Sequence, residues 1–273
     1  MEISQRIRSY FDELGEGEWL RLTSSPRALV SLEVHRRMLA EHVRAGARVL
    51  EVGAGAGRFT IELARLGAVV TVTDLSPVQL DLNEQHVREA GYEQSVEARY
   101  LLDVRDTSRY LDNQFDVVLV YGGPLSYIFE DAQSALRDCL RVGSIVLASV
   151  MCTLGAWRLY LPQIIELAKE LGDEVNDLIV HTGDLRHEGT TSGHTCQMYR
   201  SREVERLVHD AGGRLLTISA SNWASFGDET ALEEIHADPD RWLKFLALEV
   251  AACREPGLLD AGSHIVFAAS SRT

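Results

Sequence analysis

The sequence predicts a doubly wound α/β sheet, and three observations carry that prediction. Short apolar runs rich in Val and Leu recur near 49–52, 68–74, 115–121 and 144–151. Such runs suit strands buried on both faces of a mostly parallel sheet. Segments of helical periodicity separate them, the alternation expected of βαβ units. The first run, Val49-Leu50-Glu51-Val52, also breaks into Gly53, Gly55 and Gly57 before a helical pattern that sets Phe59, Leu63 and Leu66 on one side. Glycines at such a turn let bare backbone approach a ligand, and the helix that follows presents unpaired N–H groups and its positive dipole end. Strand, glycine turn and helix together predict a site for a nucleotide-type cofactor.

Bulk properties bound the rest. A chain of 273 residues, 45% hydrophobic and 25% charged, accommodates one large α/β domain or a domain carrying a substantial insertion. The formal net charge of −14, from 41 acids against 27 Lys and Arg, disfavours a phosphate backbone as partner. Four cysteines, Cys139, Cys152, Cys196 and Cys253, have no metal-site spacing and read as free thiols, so no metal is expected. The first thirty residues carry charge throughout and no run has the length of a membrane span, so the expectation is a cytoplasmic protein with no membrane partner.

Taken in order, residues 4–20 read as an amphipathic helix with Ile7, Tyr10, Phe11 and Leu14 on one side. A second helix is expected over about 27–43, ended by Gly46. These N-terminal helices, residues 1–45, are read as a lid or cover over the domain at 46–273. The second strand ends at Asp74, where a carboxylate can accept hydrogen bonds from both hydroxyls of a ribose. Ser76-Pro77 opens the next helix, 78–90, which stops at Gly91. The third strand, about 96–102, ends at Asp103-Val104, and Phe115-Asp116 leads the fourth into Tyr121-Gly122-Gly123. A helix at 131–140 and a strand at 144–151 complete five βα-type units. A helix at 201–211 and strands at 214–220 and 264–269 follow. Insertions are expected at about 152–200 and 222–262. The first holds a helix near 154–171 and a polar stretch with His181, Asp184, His187 and His194; the second holds helices near 229–237 and 240–253.

The glycine spacing discriminates between cofactors. A dinucleotide fingerprint, Gly-x-Gly-x-x-Gly, would place its third glycine at position 58, where this chain has Arg58. The motif Glu51-x-Gly53-x-Gly55-x-Gly57, followed by Asp74, Asp103 and Phe115-Asp116 in order over residues 46–151, resembles that of the class I S-adenosylmethionine-dependent methyltransferases. The resemblance implies a seven-stranded, mostly parallel sheet with an antiparallel last strand, here with helical lid insertions. It implies S-adenosylmethionine as cofactor and S-adenosylhomocysteine as product. Glu51, Gly53, Ala54, Gly55 and Gly57 would hold the amino-acid end, Asp74 the ribose, and Leu75, Asp103 and Val104 the adenine. Tyr121 would close the strand beside the methyl group. The Asn/Asp-Pro-Pro-aromatic sequence usual in methylases of exocyclic amines of bases, or of glutamine, is absent.

The implied function is methyl transfer to oxygen or nitrogen of a small-molecule or peptide-like acceptor. A hydroxyl or ammonium acceptor needs a base, for which His181, His194 and Tyr121 are the candidates. A carboxylate acceptor needs none, so methylation of a peptide or acid carboxylate is an alternative. Tyr127, Trp157, Tyr199 and Trp223 are candidates to line the acceptor site. A nicotinamide-dependent oxidoreductase and a non-catalytic S-adenosylmethionine- or nucleotide-binding module are the further alternatives, and neither acceptor nor oligomeric state can be read from the chain.

Overall fold

The computed structural model describes residues 3–186 and 195–272. Three helices come first: α1 (Ile3–Leu14), α2 (Glu16–Leu20) and α3 (Pro26–His42). The α/β units follow as β1 (Arg48–Val52), α4 (Arg58–Arg65), β2 (Val69–Asp74), α5 (Pro77–Glu89), β3 (Val96–Leu101), β4 (Phe115–Val120), α6 (Pro124–Tyr127), α7 (Ala132–Val142) and β5 (Gly143–Met151). Helices α8 (Thr153–Leu159), α9 (Leu161–Leu171) and α10 (Asp173–Thr182) lead to α11 (Ser201–Asp210) and β6 (Gly213–Ala220). Helices α12 (Glu229–His236) and α13 (Pro239–Ala252) precede the last strand, β7 (His264–Ser271).

The seven strands form one sheet in the order β3-β2-β1-β4-β5-β7-β6. All pairings from β3 through β5 are parallel, whereas β7 runs antiparallel to both β5 and β6. Alternation along the strands feeds two cores. Leu50 and Val52 face α7 and α11, where Leu136, Cys139, Val204 and Val208 are buried. Val49 faces the opposite layer, which contains Leu32, Met38 and Leu63 from α3 and α4. Each such fully buried aliphatic side chain contributes roughly 1.5–3 kcal/mol. The chain winds outward from β1 to β2 and β3, then returns to lay β4 on the other side of β1. That reversal makes the carboxyl ends of β1 and β4 the switch point, where open α/β sheets bind ligands.

Three local expectations need correction. The helix expected over 4–20 is two helices, because the chain turns at Gly15 with φ +49°. The helix expected near 154–171 breaks at Tyr160, and α9 restarts with Pro162 in its first turn, where proline's missing N–H has no bond to lose. Part of the polar stretch is helical: α10 ends at Thr182, with Gly183 in the left-handed conformation after it. His187 and His194 lie outside the described residues. All four cysteines are free and buried, and no helix of the described residues is long and apolar enough to cross a membrane.

Candidate cofactor and active site

A cleft of about 890 Å³, counted with its open mouth, lies across the carboxyl ends of β3, β2, β1 and β4. The floor is the glycine turn after β1, whose Gly53 and Ala54 N–H groups both donate to the Thr73 carbonyl, at 2.9 and 3.0 Å. Gly53 adopts φ +72°, and a Cβ there would lie 2.5 Å from Pro124 Cγ. No other residue type meets both conditions without strain.

Asp74, at the tip of β2, is 8% exposed. Its Oδ2 accepts a hydrogen bond from the Gly55 N–H and its Oδ1 one from the Ser76 N–H, both at 2.8 Å. Burial pushes its pKa up to about 6, against the pull of those N–H groups. The carboxylate is thus fixed by backbone and keeps lone pairs for a ligand. Leu75 lines the cleft beside it. At the tip of β3, Asp103 and Val104 also line the cleft. Asp103 accepts bonds from the Arg105 N–H and guanidinium and from Ser4 Oγ. Burial alone would raise the Asp103 pKa, but these donors hold it below the usual aspartate value.

At the tip of β4 the Tyr121 ring lines the cleft and meets His35 and Phe59 edge-on, with centroids 4.7 and 5.1 Å away. Its hydroxyl is buried without a hydrogen-bond partner among the described residues. Burial, then the charge of Glu41, raise its pKa well above the usual tyrosine value. Such a group is poorly suited to accept a proton. Tyr127 is buried, lines the cleft and carries Phe11 edge-on at 5.6 Å.

The other candidates lie elsewhere. Glu51 is 2% exposed and does not line the cleft; it points into the layer under α4 and accepts a 2.6 Å bond from Thr60 Oγ1. Burial pushes its pKa up to about 8. Gly57 packs on α5, where a Cβ would sit 3.3 Å from Asn83 Cα. His181 is exposed on α10 and its Nδ1 bonds the Asp177 carbonyl. Tyr199 belongs to the core with Val204 and Val208, its backbone bridging to Cys152. Trp223 packs against the opposite core and its N–H donates to Glu249. Trp157 is half-buried on α8, away from the cleft.

The roof comes from the N-terminal segment read as a lid or cover, through residues that were not among the candidate site residues. Ser4, Ile7 and Phe11 of α1 and Glu18 and Trp19 of α2, with Arg21 and Leu22 after it, line the cleft. Ser4 bonds Asp103, Asp12 bonds Ser76 Oγ at 2.5 Å, and the carbonyls of Phe11 and Gly15 accept from Gln79 Nε2. The helical periodicity of Ile7 and Phe11 signals a buried face, but nothing in it says what that face covers.

The architecture is that of a class I, Rossmann-like methyltransferase: the strand order, the antiparallel last strand and a ligand cleft at the switch point all conform. Residues 49–144 match the family model described as a methyltransferase domain. The magnesium-protoporphyrin O-methyltransferase of Rhodobacter capsulatus is 27% identical over 148 residues, which cover 50% of this chain and 64% of that protein. A ubiquinone biosynthesis O-methyltransferase of Xanthomonas oryzae is 34% identical over 120 residues, covering 42% of this chain and 48% of the other. The chain thus spans about half to two thirds of the length of these relatives. In fold it is similar to the magnesium protoporphyrin IX methyltransferase of Synechocystis with bound S-adenosylhomocysteine, with a TM-score of 0.62 at 13% identity over 99% of this chain and 100% of that one. Residues 49–144 are therefore similar to a methyltransferase domain, carried on the fold of the class I S-adenosylmethionine-dependent methyltransferases.

Proposed function

We propose that this protein transfers a methyl group from S-adenosylmethionine to an oxygen of a small-molecule acceptor. The observation that carries the reading is Asp74: a carboxylate at the end of β2, held by the Gly55 and Ser76 N–H groups and facing a cleft at the switch point. The residues present fit the cofactor. Asp74 would take the ribose hydroxyls, Leu75 and Val104 would flank the adenine, and Asp103 would accept from its exocyclic amine, a group that only donates. Gly53 and Gly55 leave room for the rest. The bound cofactor supplies a methyl group made electrophilic by a sulfonium. The chain supplies placement: Phe59, Tyr121, Leu22 and Ile128 give the cleft apolar walls that exclude water. O-methylation is favoured because both named relatives are O-methyltransferases.

A carboxylate acceptor is the second reading. Among the described residues no histidine lines the cleft. An acceptor that is already anionic would need no base.

The test is turnover. Purified protein is incubated with S-adenosylmethionine and panels of phenols, carboxylic acids and amines, and S-adenosylhomocysteine is quantified by chromatography. Formation dependent on a phenol or acid supports the reading, and methanol release from the product in alkali identifies an ester. Turnover confined to amines would refute oxygen as the methylated atom.

A further inference from the structure

The amino-acid end of the donor is a zwitterion, and it needs an anion and a cation within reach. At the glycine turn the sheet's own loops supply Asp74, which is given to the ribose, and Arg58, which is bonded to the Trp19 carbonyl. Glu51 lies below the floor, bonded to Thr60. The further charged groups that line this end of the cleft, Glu18 and Arg21, come from the N-terminal segment. Glu18 reaches the glycine turn, its Cγ 3.2 Å from where a Cβ on Gly55 would sit. Arg21 reaches the tip of β4, its Nη2 3.6 Å from where a Cβ on Gly122 would sit. The two side chains therefore span the ends of β1 and β4, the strands that flank the switch point.

They are also joined to each other. Arg21 Nε lies 3.0 and 2.9 Å from the two Glu18 oxygens, and Nη2 lies 2.8 Å from Oε1. Arg21 Nη1 has no hydrogen-bond partner among the described residues. A guanidinium has five N–H donors and a carboxylate about four acceptor sites, so the pair retains capacity on both partners. The side chains are 35% and 16% exposed, which leaves them reachable from the cleft. Burial alone lowers the Arg21 pKa, but Glu18 more than offsets that and the guanidinium stays charged. Arg58, the other cation that lines the cleft, is committed to the Trp19 carbonyl.

We propose that Glu18 and Arg21 form a preassembled clasp for the zwitterionic amino-acid end of the methyl donor, Arg21 taking the carboxylate and Glu18 the ammonium. The proposal rests on the S-adenosylmethionine reading above and moves the amino-acid subsite from Glu51 to the roof. It also couples cofactor to cover. The segment that carries the clasp reaches the ribose and adenine ends through Asp12–Ser76 and Ser4–Asp103. A ligand with its amino-acid end therefore holds the whole roof down.

The test is calorimetric binding of S-adenosylhomocysteine and of 5′-methylthioadenosine, the thioether nucleoside without the amino-acid end. Both are titrated into the wild type, Arg21→Met, Arg21→Lys and Glu18→Gln, with the fold of each variant checked by circular dichroism. Arg21→Met is expected to weaken S-adenosylhomocysteine about 10- to 100-fold, the loss that goes with a charge-assisted hydrogen bond. It should leave 5′-methylthioadenosine unchanged, with Arg21→Lys recovering part of the loss and Glu18→Gln weakening only the first ligand. Unaltered S-adenosylhomocysteine binding in Arg21→Met, or equal weakening of both ligands, would overturn the clasp. Failure of the wild type to bind either ligand would instead remove the cofactor reading beneath it.

Discussion

The guanidinium of Arg58 lies 3.5 Å from the centroid of the Trp19 indole, and its Nη2 donates a 2.8 Å hydrogen bond to the Trp19 carbonyl. The imidazole of His86 stacks on the same indole at 4.0 Å. Trp19 is thus held between α4 and α5, and it fixes the α2 segment over the cleft. The residue that breaks the dinucleotide fingerprint is the one that anchors the roof. A cation–π contact of this kind is worth about 0.5–2 kcal/mol. Arg58→Ala should therefore loosen residues 3–22, raising their amide hydrogen exchange while the strands keep theirs. Exchange unchanged in 3–22 would mean that the roof is held by other contacts.

Gly53→Ala should be costly. The φ of +72° and the 2.5 Å approach of Pro124 Cγ act together, whereas Gly91, with φ +80°, has open space around a new Cβ. Backbone strain of this kind costs about 1–3 kcal/mol, and the clash adds to it only at Gly53. Thermal melts should show Gly53→Ala losing more stability than Gly91→Ala. Equal losses would show that Pro124 moves aside freely.

Glu51 makes stability fall with rising pH. Burial raises its folded-state pKa from 4.5 to about 8, so its folded form holds a proton that the unfolded chain gives up earlier. Its favourable contribution is complete below pH 4.5 and is lost as the pH climbs to about 8. Glu51→Gln keeps an acceptor for Thr60 and removes the titration. Its melting temperature relative to wild type should rise between pH 5 and pH 8. A constant difference across that range would place the titration elsewhere.

His181→Ala should leave both ligand binding and turnover at wild-type levels, because the ring is exposed on α10 and bonds its own helix at Asp177. Measured with any acceptor found in the panel, a tenfold loss of kcat would return His181 to the chemistry.

The sheet and its order of elements were legible because β1, β2, β4 and β5 are largely buried and so read as apolar runs, and because glycine marks the turn. Asp74, Asp103 and Tyr121 were legible as strand-end residues. Glu51 misled for a related reason. It sits one residue before the strand's end, where alternation turns it under α4 and not toward the cleft. The roof was expected as a lid, but its charged pair was hidden because Glu18 in α2 and Arg21 just after it, three residues apart, have the same signature as a surface ion pair. Only the fold of α2 over the glycine turn makes that pair internal. Tyr199 and Trp223 pack into the two cores, and sequence alone does not separate a core ring from a ring that lines a cleft.

The most direct measurement is calorimetric titration of S-adenosylhomocysteine, with NAD for comparison, into wild type and Asp74→Ala. Asp74 has its pKa raised to about 6 and binds as the carboxylate, so titrations at pH 5 and pH 7.5 belong to the same experiment. The expected result is micromolar binding of S-adenosylhomocysteine that strengthens from the lower pH to the higher, falls at least about tenfold in the variant, and exceeds any binding of NAD. No binding of S-adenosylhomocysteine, or tighter binding of NAD, would contradict the assignment of this cleft to a methyl donor.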